Sequence, residues 1–308
     1  MKRDCLSLKD LSREEILNLV EQALQIKQKV RLREAYKPLE GVLLGMLFEK
    51  SSTRTRISFE AGMKRLGGDA IFLSSRDIQL GRGETIEDSA RVISSYLDII
   101  MVRTFEHQRL IEFARHSSVP VINGLTNLLH PCQVLADLVT IKEHFGRIYN
   151  LKIAFVGDGN NMANSWLYAA SILGLNLSVA TPVDLSPAGI VVKEALEFAK
   201  VSAAKIELTD DPYRAVEGAD VIYTDVWASM GEESQRQVKH ALLRGYQVNQ
   251  ALIERASEDF IFMHCLPAHR GEEVASEVID GEHSIVWDEA ENRVYAQLAL
   301  ILKLLGRD

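Results

Sequence analysis

The 308-residue chain is longer than one ordinary domain and suits two α/β domains of about 150 residues each. Its formal net charge of -8 excludes the broad basic face of a nucleic-acid binder, although an anion can still be held where positive charge is concentrated. Three scattered cysteines (Cys5, Cys132 and Cys265) make neither a disulfide framework nor a zinc ribbon, and no apolar run approaches the roughly 18 residues of a membrane span.

Met1-Lys2-Arg3-Asp4 lacks the apolar stretch of a signal peptide, which with the cysteine usage implies a reducing, cytoplasmic setting. An amphipathic helix is predicted over residues 12–30, followed by strands over 43–49, 70–74, 98–103 and 119–123. Between the first two strands, Phe59, Gly62, Met63 and Leu66 share one helical face. Pro131 suits the first turn of another helix, marked by Val134, Leu138, Ile141 and Phe145. Gly146 to Asn150 reads as a hinge. A second series then predicts strands over 152–157, 177–180, 205–208, 221–225 and 260–265, with helices between them. Val294, Leu298, Ile301 and Leu305 mark a terminal helix. Strand–helix alternation in both halves predicts an α/β protein with two parallel-sheet α/β domains.

In open parallel sheets ligands bind beyond the carboxyl ends of the strands, and the unusual polar groups fall there repeatedly. Ser52-Thr53-Arg54-Thr55-Arg56 follows one strand, Arg103 ends another and His130 follows a third. Asn161, Asp225 and Cys265 lie at or just after strand ends in the second half. Two facing sets of this kind predict an interdomain active-site cleft.

Ser52–Arg56 reads either as a capped helix with two solvated arginines or as a phosphate site at a helix start. The dipole contributes only about 0.3–1 kcal/mol. Charge-assisted hydrogen bonds from Arg54 and the hydroxyls contribute roughly 1.5–3 kcal/mol each, so side chains would carry the affinity. His130, before Pro131-Cys132-Gln133, either caps a helix or points an imidazole at a carbonyl oxygen. Arg103 closes a buried strand, and such a charge needs an internal acid or a ligand.

Gly157-Asp158-Gly159-Asn160-Asn161-Met162-Ala163 is placed like a dinucleotide fingerprint. Met162 occupies the third glycine position and the next strand ends without an acid, so Asn160 and Asn161 read better as contacts to a polar substrate. Asp225-Val226-Trp227-Ala228-Ser229-Met230-Gly231 sets a carboxylate before a loop with a hydroxyl and a thioether, or is a polar loop with Trp227 packed inward. His264, Cys265 and His269 suggest a metal only weakly, because a fourth ligand is not apparent.

Taken in order, Phe48–Arg56, His130–Gln133, Gly157–Ser165, Asp225–Gly231 and His264–Pro267 resemble the aspartate/ornithine carbamoyltransferase family over nearly the whole chain. The last two motifs resemble its ornithine-specific members. The resemblance implies a carbamoyl-phosphate domain over 1–148, an ornithine domain over 149–290, and a terminal helix over about 291–308 that returns to the first domain. It implies carbamoyl-phosphate contacts at Ser52, Thr53, Arg54, Thr55, Arg103, His130, Pro131, Cys132, Gln133, Cys265, Leu266 and Arg293, with Gln79 reaching a neighbour's site. Ornithine would meet Asn161, Asp225, Ser229 and Met230, and the catalytic groups would be Arg103, His130, Cys265 and Asp225. The implied partners are the two small substrates and further copies of the chain in a homotrimer or an assembly of trimers. No metal, organic cofactor, nucleic acid or membrane is implied.

Overall fold

The structure is a computed structural model and describes residues 2–75, 83–228 and 235–308. The chain divides into two compact units, one of Met1–His144 with Glu291–Asp308 and the other of Phe145–Ala290. Among the described residues no helix is long and apolar enough to cross a membrane.

The first unit holds strands β1 (Leu43–Phe48), β2 (Asp69–Ser74), β3 (Ile99–Arg103) and β4 (Val121–Leu125), all parallel in the order β2-β1-β3-β4. Helices α1 (Arg13–Arg31), α2 (Thr53–Arg65), α3 (Ile86–Ser94), α4 (His107–His116) and α5 (Pro131–Phe145) complete its alternation. Helices on both faces bury a parallel sheet twice over, which is why β3 reads Ile-Ile-Met-Val without polar alternation. Leu47, Ile100 and Val102 pack with Ala90, Leu110 and Phe113 beneath α3 and α4. The C-terminal segment belongs to the same core. Buried Lys27 on α1 donates to Glu143 Oε2 at 2.6 Å and to Asn292 Oδ1 at 2.8 Å, and Asn292 Nδ2 donates to Thr140 Oγ1 at 3.0 Å.

β4 starts two residues later than its apolar pattern predicts. Pro120 has no N–H to give to a ladder, and the Val121 N–H is taken by the Asp4 carboxylate at 2.8 Å. The strand nevertheless runs through buried Asn123, because the Asn123 amide donates to the Leu6 carbonyl at 2.9 Å.

The second unit carries β5 (Lys152–Val156), β6 (Asn176–Ala180), β7 (Lys205–Thr209), β8 (Val221–Thr224) and β9 (Ile261–His264), again all parallel, in the order β7-β6-β5-β8-β9. Around it lie α6 (Asn161–Leu173), α7 (Gly189–Ser202), α8 (Pro212–Val216), α9 (Arg236–Leu243), α10 (Gln250–Ile253) and α11 (Ser276–Ile279), and α12 (Val286–Leu304) begins here. Trp166 of α6 and Phe155 of β5 both meet the Tyr223 ring at 5.9 Å between centroids. The fold class is the predicted one: two parallel-sheet α/β units, with every predicted strand present.

Strand order locates the two switch points. In the first unit neighbouring β1 and β3 send their connections to opposite sides, and in the second β5 and β8 do so. The crevice outside such a pair is where an open α/β sheet takes a ligand. Ser52–Arg56 follow β1 and Arg103 ends β3, while Gly157–Asn161 follow β5 and Asp225 follows β8.

Candidate functional site

In the first unit, Ser52 caps α2. Its backbone is extended and its Oγ accepts the Thr55 N–H at 3.2 Å. The first turn of α2 carries no acidic residue, whereas α1 and α3 carry Glu14, Glu15, Glu87 and Asp88 there, so the positive end of the α2 dipole is uncompensated. Arg54 is half-buried in that turn. Thr53 is exposed, and Arg56 lies on the surface with Glu60 at 3.4 Å and the Phe72 ring at 4.0 Å.

Thr55 is fully buried and joins two guanidinium groups. Its Oγ1 accepts from Arg103 Nη1 at 3.2 Å and from Arg293 Nη2 at 2.9 Å. A threonine hydroxyl has two lone pairs and one proton, so with both lone pairs engaged only the proton is left for a ligand. Arg103 and Arg293 are themselves buried, at 5% and 3% exposure.

His130 immediately precedes α5 and is 4% exposed. Burial pushes its pKa well below the usual imidazole range, and the charges of Arg293, Arg103, Lys50 and Arg54 push it the same way. It is therefore a neutral imidazole near pH 7. Pro131 and Gln133 stand in the first turn of α5. Cys132 turns its thiol into the core, where Sγ meets the Asn123 carbonyl at 3.4 Å and burial raises its pKa to about 12. A ligand contact at Cys132 thus falls to its backbone.

Lys50 escaped notice in the sequence. It is 5% exposed, its Nζ lies 3.4 Å from Asn127 Oδ1 and 5.4 Å from the Phe105 ring, and it contributes to the field at His130. The signal was its place inside the Phe48–Arg56 motif. Beside it, Glu49 accepts from Arg109 at 2.8 Å and from the Thr104 hydroxyl, and the Glu49 N–H donates to the Arg103 carbonyl at 2.8 Å. These bonds fix the loop between β1 and α2.

The second unit gathers different chemistry. Asp225 Oδ1 accepts the Val226 N–H at 2.8 Å and faces Cys265 Sγ at 3.1 Å, and its Oδ2 accepts from Asn160 Nδ2 at 2.8 Å. Asn160 also caps α6, its Oδ1 accepting from Met162 N at 2.8 Å. Asn160 therefore orients Asp225, a role the sequence did not assign. Asn161, 7% exposed, opens α6. The glycine pattern has a packing reason: Gly157 has φ +138°, and a Cβ on Gly159 would collide with the backbone of Leu185 to Pro187. Buried Lys239 of α9 pairs with Asp158 at 2.8 Å.

His264 holds the residues after β9. Its N–H donates to Glu289 Oε2 at 2.8 Å, and its Nδ1 accepts the Leu266 N–H at 2.8 Å. The proton then sits on Nε2, which faces Glu273 Oε1 at 3.2 Å. Burial works to raise the Glu273 pKa, but the bonds from His264 and from the His269 N–H hold it below the usual range. Leu266 has φ +55°, and the bond to His264 secures this left-handed backbone. Asp225, His264 and Cys265 bring ligand-type atoms within 4.8 Å of one another, but both His264 ring nitrogens are engaged as above. Gln79, Ser229 and Met230 lie outside the described residues.

The arrangement amounts to a buried cationic cluster around a neutral imidazole in one unit and an oriented carboxylate beside a thiol in the other. Comparison with known proteins agrees in kind. The model described as aspartate/ornithine carbamoyltransferase, carbamoyl-P binding domain, matches residues 3–143, and that described as aspartate/ornithine carbamoyltransferase, Asp/Orn binding domain, matches residues 149–304. The chain is 53% identical over 303 residues to an ornithine carbamoyltransferase of Anoxybacillus flavithermus, covering 98% of this chain and 96% of that one. Among solved structures, ornithine carbamoyltransferase from Pyrococcus furiosus superposes with a TM-score of 0.95 at 48% identity, covering 99% of this chain and 97% of that one. The anabolic ornithine carbamoyltransferase from Campylobacter jejuni does so with a TM-score of 0.94 at 44% identity, covering 100% of both chains.

Proposed function

The chain belongs to the aspartate/ornithine carbamoyltransferase family, and from that premise we propose that it transfers the carbamoyl group of carbamoyl phosphate to the δ-amine of L-ornithine, giving L-citrulline and phosphate. The observation that carries this reading is the pair of buried guanidinium groups on Thr55 beside a neutral His130. An acyl phosphate, whose phosphate gains charge as it departs, calls for such a cluster.

Ser52, Thr53, Arg54 and the Thr55 hydroxyl proton take the phosphate. Arg103, His130 and Thr55 face the carbonyl oxygen, where charge develops as the amine nitrogen bonds to the carbamoyl carbon. Pro131 and Cys132 contribute backbone, Gln133 its carboxamide, and Leu266 and Arg293 complete the carbamoyl-phosphate contacts. The C–O bond to phosphate then breaks, and the proton shed by the nitrogen goes to the departing phosphate, which leaves as hydrogen phosphate. Asn161, Asp225, Ser229 and Met230 hold ornithine. The reaction so written uses no metal and no organic cofactor. Holding the two substrates in line supplies much of the acceleration.

The attacking amine has to be neutral, and a lysine-like amine with a pKa of about 10.4 is neutral in only about one molecule in a thousand at pH 7. Cys265 Sγ–H donates to Asp225 in the observed geometry. Sulfur can therefore take the amine's proton only by passing its own to Asp225, a two-step relay. The need for a neutral amine predicts that kcat/KM for ornithine climbs from pH 6 toward pH 9; a flat profile counts against amine deprotonation being needed.

Gln79 serves a neighbouring subunit's site in a homotrimer or an assembly of trimers, and the enzyme works in the cytoplasm. Asp225 suits a cationic acceptor better than aspartate, whose second carboxylate needs basic contacts. The deciding experiment incubates the protein with carbamoyl phosphate and a panel of amines. Citrulline from ornithine is the expected product, and preference for putrescine by about a hundredfold, roughly 2.7 kcal/mol, reassigns the acceptor. Arg54→Ala is expected to abolish transfer and weaken inhibition by phosphate while the fold survives.

A further inference from the structure

Gln133 and Asp137 stand one turn apart on α5, and both are fully buried. Gln133 Nε2 donates to Asp137 Oδ1 at 2.9 Å. A carboxylate buried this deeply is costly unless its hydrogen bonds compensate it, and every residue of α5 from Pro131 to Ile141 is buried. An apolar residue at 137 would pack there without that cost, so the carboxylate calls for a reason beyond packing.

The two ends of a carboxamide differ chemically, one donating hydrogen bonds and the other accepting them. Asp137 takes the NH2 end of Gln133, which turns Gln133 Oε1 away from it in the amide plane. Building on the reading that Gln133 faces the carbamoyl group, we infer that Asp137 is a positioning residue for substrate choice. It fixes the Gln133 carboxamide so that its oxygen accepts a hydrogen bond from the carbamoyl NH2. The reverse orientation would set two donors against each other.

The chemical class selected is thus a phosphoric anhydride whose acyl carbon carries NH2. Acetyl phosphate has the same shape with a methyl group in that position. An oriented oxygen pairs with the amine and is left unpaired against the methyl, which makes the contact discriminating.

The test uses the full chain and three measurements: KM for carbamoyl phosphate, KM for ornithine and inhibition by acetyl phosphate. In Asp137→Asn the new carboxamide can pair with either end of Gln133, so the orientation is lost. KM for carbamoyl phosphate is expected to rise about tenfold, equivalent to roughly 1.4 kcal/mol, while acetyl phosphate inhibition and KM for ornithine stay within about twofold. Asp137→Glu keeps a carboxyl group for the NH2 end of Gln133, so KM for carbamoyl phosphate is expected to stay within about threefold of wild type. A purely structural role for Asp137 predicts that the longer buried side chain is worse than Asp137→Asn.

An Asp137→Asn enzyme with unchanged KM for carbamoyl phosphate overturns the inference, as does acetyl phosphate inhibition that weakens in step with KM; both leave the transferase reading standing. Wild-type protein that forms no citrulline overturns both. If Asp137→Asn does not fold, Asp137→Ser takes its place: a rise of about tenfold in KM for carbamoyl phosphate with acetyl phosphate inhibition unmoved supports the inference, and an unchanged KM overturns it.

Discussion

The first unit's cluster and the second unit's cluster occupy equivalent places, beyond the strands that flank the switch point of a parallel sheet, yet they carry opposite charge. Around Thr55 the buried groups are cations, and the imidazole among them is forced neutral. Around Asp225 the central group is a carboxylate held by an amide, a backbone N–H and a thiol. On the proposed reading, one architecture serves a dianionic acyl phosphate in one unit and the acceptor amine in the other, the difference lying in the residues just past each strand. The chain is acidic overall, so the cationic cluster is a local concentration that net charge conceals.

If the division of labour is right, substitutions in one cluster should leave the other substrate's binding unmoved. The largest effect belongs to Arg103→Ala. It removes a donor from the developing oxyanion and one of the two guanidinium partners of Thr55, so kcat is expected to fall about a thousandfold. KM for ornithine should stay within about twofold; parallel loss in both substrates breaks the comparison.

Asp225→Asn probes the other side. Its isosteric amide keeps a bond to Asn160 or Cys265 but loses the charge that meets the amine. The expected result is about a hundredfold drop in kcat/KM for ornithine with inhibition by phosphate unaltered. Thr55→Val comes next, at about tenfold in kcat/KM for carbamoyl phosphate, since both arginines stay but lose the acceptor that holds them. Steady-state kinetics with each substrate varied in turn separates these outcomes.

The sheets were readable because each strand is short, apolar and followed by turn residues, and period and length decide such segments. The β4 boundary shifted because Pro120 and Asp4, rather than hydropathy, govern where its ladder begins. At the sites, Ser52 was readable as a helix cap because capping is local, its partner lying three residues on. What could not be read was pairing across the chain. Asn160 meets Asp225 from 65 residues away, and Arg293 meets Thr55 from 238. No periodicity encodes such separations. Arg293 was reached through family resemblance, Asn160 read only as a substrate contact, and Lys50 received no site role until the fold placed it. Asp137 was missed for a different reason: one acid within an apolar helical stretch has no local signature of the amide it orients.

The smallest effect, and the sharpest on the cationic cluster, is the acid limb of stability. The unfolded chain protonates His130 near the ordinary imidazole pKa of about 6.5, whereas the folded chain resists protonation because burial and then Arg293, Arg103, Lys50 and Arg54 oppose the charge. Above about pH 7 both states are neutral and the residue contributes no pH dependence. Below the unfolded pKa the unfolded state binds the extra proton, so stability falls with falling pH, by up to about 1.4 kcal/mol per pH unit, until the folded pKa is reached. Urea unfolding of wild type and His130→Gln between pH 7 and 5 should therefore diverge, with wild type losing more. Saturating phosphate should narrow the gap, because a dianion among the arginines offsets their repulsion of an imidazolium. Curves that run parallel without phosphate would mean that His130 takes up a proton as readily in the folded chain as in the unfolded one, and the contrast between the two clusters would then lose its neutral imidazole.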